Sequence, residues 1–181
     1  MARRFSRIEA AHCAFIERQH VFFTASAAAR TRVNVSPRST QALRVLHETC
    51  VAYLDRTGSG NETAAHLRAD GRLTLMFCSF DPTPQILRLY GRGRVLPRDG
   101  AEYARVLEEE FAGDEPPGAR QIVMLEVDLV QTSCGFGVPL FDYRKERDTL
   151  ERWSETKGPA ALEAYRQQKN RRSIDGLPTG L

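Results

Sequence analysis

Six stretches of this chain carry strand character, and most neighbours along the sequence are joined by links too short to hold a crossover helix. HVFFTAS (20–26), RVNVS (32–36), LRVLHETCVAYLD (43–55), RLTLMFCSF (72–80), QILRLYGRGRVL (85–96) and RQIVMLEVDLVQ (120–131) combine β-branched and aromatic residues with period-two or continuous apolar patterns. Strands joined by short links pair antiparallel, because a parallel neighbour needs a connection of a dozen residues or more. The pattern therefore predicts an α+β, mainly β fold: an antiparallel sheet closing into a small barrel with flanking helices. Pro37 is expected to end the second strand.

Helical periodicity fills the rest. Residues 4–18 place Ile8, Ala11, His12, Phe15 and Ile16 on one face. A short helix follows the third strand and stops at Asp70-Gly71, and residues 101–112 form another. Two helical stretches cover about 143–157 and 160–172, and the tail SIDGLPTGL is turn-like. At 181 residues, the chain reads as one domain, 1–181, with a C-terminal helical extension from about 143.

The stretch LDRTGSGNETAAHL (54–67) carries the most chemistry. Between Asp55 and Ala64 it has no large apolar side chain. Ser59 with Glu62 three residues on fits a capping box at a helix start. That reading does not call for two glycines, Asn61 and two threonines as well. An anion site would use them: backbone N–H groups at a helix N-terminus, with hydroxyl donors. Both readings stand on the local sequence. Named phosphate and metal motifs do not match. A Walker loop would need Gly-Lys-Ser/Thr, a dinucleotide fingerprint would need glycine at Thr63, and an EF-hand from Asp55 would need glutamate at His66.

Composition narrows the function classes. Net charge is +3, too weak to argue for nucleic acid. No apolar run reaches membrane-spanning length, and charged residues interrupt the segment before VFFTASAAA, so neither a membrane span nor a signal peptide is expected. Cys13, Cys50, Cys78 and Cys134 show no metal or disulfide spacing, and a reduced, cytoplasmic protein is the simplest reading. The four histidines form no zinc motif, so no metal is expected. Arg88, Arg92 and Arg94 read as a solvated strand face unless a ligand lies there.

Taken in order, HVFFTASA, VNVSPRS, CVAYLDRTGSGNETAAHL, RLTLMFCSF, ILRLYGRGRV and IVMLEVDLVQTSCGFGVPL resemble the pyridoxamine 5′-phosphate oxidase-like family of FMN-binding split barrels, in its broad bacterial branch. The resemblance implies an antiparallel split β-barrel with flanking helices, forming a homodimer with FMN in a cleft at the subunit interface. It implies cofactor contacts from Asn34, Ser36 and Arg38 at the end of the second strand, from Ser59, Gly60, Asn61 and Thr63 at the junction, and from Arg88 on the later hairpin. It further implies an FMN-dependent oxidoreductase acting on a small molecule, with no acid or base named. The alternatives are a carrier or sensor of flavin, deazaflavin or haem, and a dimeric scaffold without cofactor. The junction lacks the basic residues of the authentic oxidases, and the C-terminal signature that grips pyridoxal phosphate is not found. Residues 170–181 are expected either to fray or to pack across the dimer near the cofactor mouth.

Overall fold

The computed structural model describes residues 2–181. In chain order the elements are β1 (Arg3–Phe5), α1 (Ala10–Glu17), β2 (Val21–Ser26), β3 (Asn34–Ser39), a 3-10 turn (Thr40–Ala42), β4 (Leu43–His47), β5 (Cys50–Arg56), α2 (Glu62–Ala69), β6 (Arg72–Cys78), β7 (Ile86–Pro97), α3 (Ala101–Phe111), β8 (Ala119–Ser133) and α4 (Thr149–Lys169). The strands form one sheet in the order β3-β2-β6-β7-β8-β5-β4, with β1 also on β8. Every pairing is antiparallel.

Connectivity forces this sheet to curl. Its two edges, β3 and β4, are consecutive in the chain and separated only by the turn at Thr40–Ala42. That link reaches at most ~14 Å. In a flat sheet of the same order the edges would stand about 29 Å apart. Bending into a half-barrel brings them within reach. Inside the curl lie Phe22, Tyr53, Leu75, Phe77, Leu87, Leu89 and Leu125, closed off by Phe15 and Ile16 of α1. The opposite face of β5, β7 and β8 packs Leu54, Leu96 and Ile122 against Tyr103, Val106 and Phe111 of α3.

Several boundaries differ from the sequence expectation, each for a physical reason. Pro37 does not end β3, because β3 is an edge strand, where a missing N–H costs no ladder bond. Residues 43–55 are two strands, β4 and β5, folded on each other around Glu48 and Thr49. The expected helix from residue 4 begins only at Ala10, and Arg3–Phe5 instead pair with Val130–Thr132 of β8. The C-terminal helix starts at Thr149, not near 143; its break at Gly158, whose φ of 69° no helix accommodates, falls where the sequence separates the two helical stretches. No helix among the described residues is long and apolar enough to cross a membrane.

Candidate functional site

Alternation along β3 turns Asn34, Ser36 and Arg38 toward the curl and leaves Val35 and Pro37 facing out. Opposite them, β5 ends at Arg56 and the chain passes through Thr57–Asn61 into α2. Together these segments enclose a cleft of about 280 Å³, lined by Asn34, Ser36 and Arg38, by the junction from Gly58 to Thr63, and by Asp55, Arg56 and Arg120. Seven of the eight residues implied by the resemblance thus meet in one place. Arg88 does not line this cleft. It sits on β7, three strands from β3, and donates to Ser133 Oγ at 3.2 Å.

The junction is braced from behind through its carbonyls. Thr57 N and Oγ1 both donate to Gly118 O. Gly58 O accepts from Asn170 Nδ2 at 3.0 Å, and Gly60 O accepts from Arg120 Nη1 at 3.0 Å. Among the described residues, no partner is found for any backbone N–H from Gly58 to Ala64. The last of these belong to the first turn of α2, where unpaired N–H groups carry the positive end of the helix dipole. Asn61, only 3% exposed, accepts from Gln121 Nε2 at 2.8 Å through Oδ1, and its Nδ2 has no partner. Arg38 Nε is likewise buried and unpaired. Asn34 ties the two walls together, donating to Thr63 Oγ1 at 3.1 Å and to Ser26 Oγ at 3.3 Å while accepting from Ser36 Oγ.

Beneath the cleft lies a charge cluster that sequence reasoning missed. Asp55, 1% exposed, accepts from Arg38 Nη1 on one oxygen. On the other it accepts from Arg120 Nε and Nη2, at 3.1 and 2.6 Å, and from Gln121 Nε2 at 2.8 Å. Burial pushes the Asp55 carboxyl up, but Arg120 and Arg38 outweigh it and hold it below the usual carboxylate range. The Arg38 guanidinium is driven the other way: burial opposes its charge, and Asp55 more than restores it. Two adjacent residues of a strand normally point to opposite faces. Here Asp55 pairs with Gln121 and Arg56 with Ala119, so Arg120 is an extra residue bulged out of β8 and re-aimed at Asp55. The available signal was Asp55 itself, which shares the inward face of β5 with Val51 and Tyr53. The cleft is lined by three guanidinium groups, of Arg38, Arg56 and Arg120, and two carboxylates, of Asp55 and Glu62, leaving one net positive charge. This donor set suits an oxyanion.

The capping-box reading of Ser59 and Glu62 is overturned. Asn61 is the residue at the helix start, Ser59 makes no side-chain bond to it, and the Glu62 carboxylate accepts the N–H of Ile174 at 3.1 Å through each oxygen. The tail is therefore docked on the junction of its own chain, held also by Asp175 on Arg32 N at 2.8 Å and by Thr179 Oγ1 on Asn170 O at 2.6 Å. All four cysteines are free, Cys50 and Cys78 buried as expected of small apolar residues. No group of His, Cys, Asp or Glu among the described residues is arranged to hold a metal.

Residues 8–134 match the family model for pyridoxamine 5′-phosphate oxidase. The chain is 42% identical over 177 residues to the pyridoxamine 5′-phosphate oxidase family protein ustO of Aspergillus flavus, covering 89% of this chain and 71% of that one. Among solved structures it is similar to a variant of HupZ from group A Streptococcus, with TM-score 0.58 and 16% identity over 70% of this chain and 99% of that one. It is also similar to a protein of Lactobacillus delbrueckii provisionally described as a pyridoxamine 5′-phosphate oxidase, with TM-score 0.55 and 19% identity over 70% and 94% of the two chains. At these identities the structural likenesses establish the split-barrel fold.

Proposed function

The chain belongs to the pyridoxamine 5′-phosphate oxidase family, and from that premise we propose that it is an FMN-binding oxidoreductase with a small-molecule substrate. The observation that carries this reading is the row of unpartnered N–H groups from Gly58 to Ala64, with the unpaired Asn61 Nδ2, around a cleft of net positive charge. Such a cradle fits a phosphate monoester. Ser59, Gly60, Asn61 and Thr63 would hold it through N–H and hydroxyl donors, Ser36 would add a hydroxyl, and Arg38 would supply the charge. Asn34 would keep the two walls in register through Thr63.

FMN, when bound, supplies hydride and electron transfer itself. This chain's own contribution is binding, orientation and electrostatics. Asp55 holds the guanidinium groups of Arg38 and Arg120 in place by hydrogen bonds, so the donors are set before the ligand arrives.

The same reading includes a homodimer. Val35 on the outer side of edge strand β3 and Val33 just before that strand are 60% and 71% exposed, and the nearby Ile174 is 73% exposed. A second copy of the chain would cover this apolar face and blunt the open edge.

The experiment is a visible spectrum of the protein purified without added cofactor, followed by anaerobic addition of NADH or NADPH and then of air. Flavin bands that bleach and return support the reading. A deazaflavin band would keep the cleft but change the cofactor. A flavin that neither donor reduces would indicate a carrier. A Soret band, or a colourless protein that FMN does not reconstitute, would overturn it.

A further inference from the structure

Asn170 lies outside the stretch matched by the family model, 50 residues after Arg120, yet it is completely buried behind the glycine junction. It sits one turn beyond Arg166 at the end of α4. Arg166 donates Nε to Thr57 Oγ1 at 2.8 Å and Nη2 to Ala119 O at 2.8 Å. The Asn170 amide is fully committed in both directions: Oδ1 accepts from Arg120 Nη1 at 2.8 Å, and Nδ2 donates to Gly58 O at 3.0 Å. Its own carbonyl is held by Thr179 from the tail.

In a planar trans peptide, C=O and N–H point opposite ways. A Gly58 carbonyl drawn toward Asn170 therefore aims the Ser59 N–H away from it. A Gly60 carbonyl drawn toward Arg120 does the same for the Asn61 N–H. Asn170 fixes both peptides, one directly and one by seating Arg120. Glycine at 58 and 60 would otherwise let these peptides rotate freely.

We infer that Asn170 is a positioning residue: by fixing the peptides of the junction, it sets the aim of the N–H groups that receive a ligand's phosphate. The inference rests on the phosphate-cradle reading above. It also gives the C-terminal tail a function, since Thr179 locks Asn170 in place.

The test compares FMN with riboflavin, which differ only in the phosphate, by titration of apoprotein with each flavin, alongside thermal melts. Asn170→Asp keeps an acceptor for Arg120 and loses the donor to Gly58. It is expected to weaken FMN binding roughly 10-fold and riboflavin binding less than about twofold, so that the preference for FMN drops. Thr179→Val removes the bond to the Asn170 carbonyl, and with it the longer 3.4 Å bond accepted from Leu181 N, with little change of shape. It should lower the same preference by roughly threefold, and it answers the question if Asn170→Asp does not fold. Equal losses for both flavins would mean that Asn170 only stabilises the fold, and an unchanged preference would overturn the inference. A wild-type protein that binds FMN and riboflavin equally would instead remove the phosphate-cradle reading on which it rests.

Discussion

Asp55→Asn is the most informative single substitution for stability. The wild-type carboxylate accepts from Arg38, twice from Arg120 and from Gln121, in a site only 1% exposed. Asparagine leaves one acceptor and turns an amide N–H₂ toward guanidinium groups that cannot accept. The Arg120 side chain is 3% exposed, so its charge cannot recover water. Removing one partner of such a buried pair costs about 3–5 kcal/mol. For a chain of this length that lowers the melting temperature by about 6–20 °C. The pH dependence has a definite sign. The folded pKa of Asp55 lies below its ordinary value of 3.8, so its contribution is fully present above that value and is lost as pH falls through the folded pKa. The gap between wild type and variant in scanning calorimetry should be constant from about pH 5 to 8 and narrow below about pH 4. A variant melting within about 2 °C of wild type at pH 7 would refute the reasoning, as would a gap that narrows near neutrality.

Ser59→Ala should change stability by less than about 0.5 kcal/mol in urea unfolding, against the roughly 1 kcal/mol expected of a true cap, because Asn61 occupies the helix start. Gly91→Ala should cost about 3 kcal/mol or more, since a Cβ there would stand 1.8 Å from Glu126 O, a backbone atom that cannot turn aside. Gly93→Ala should be milder on the same assay, because the added Cβ meets only the movable ends of Leu67 and Leu73. Light scattering should give about 41 kDa, twice the chain mass of 20.4 kDa, and Val35→Asp should shift the population toward monomer; a wild-type monomer at micromolar concentration would contradict the shared face.

Much of the architecture was legible in period and punctuation. The long strands β7 and β8, the short links and the stop at Gly71, with φ 88°, all carry local signals. The β4–β5 turn carries none: His47-Glu48-Thr49 contains no glycine or proline, so two strands read as one. Three residues of β1 are too few to show a period. Pro37 was misread because edge position is a property of the assembled sheet, not of the segment. At the site, the polar run of the junction stood out in the sequence itself, whereas Asn34, Ser36 and Arg38 were implied only by the family resemblance; the fold brings both runs to one cleft. Arg120 was not legible, because it reaches Asp55 only through a bulge whose register no local pattern encodes. Asn170 was not, because it meets Gly58 across 112 residues of chain. Glu62 looked like half of a capping box only while its distant partner, the N–H of Ile174, was out of view.

The decisive measurement is a calorimetric titration of apoprotein with FMN and with riboflavin, on wild type and on Arg38→Ala. One charge-assisted bond to the phosphate, with two or three neutral ones from the junction, corresponds to a preference of roughly 100-fold or more for FMN. Arg38→Ala should remove roughly 10-fold or more of that preference and leave riboflavin binding nearly unchanged. If the wild-type protein binds the two flavins with equal affinity, the cleft between β3 and α2 does not hold a phosphate, whatever else the barrel binds.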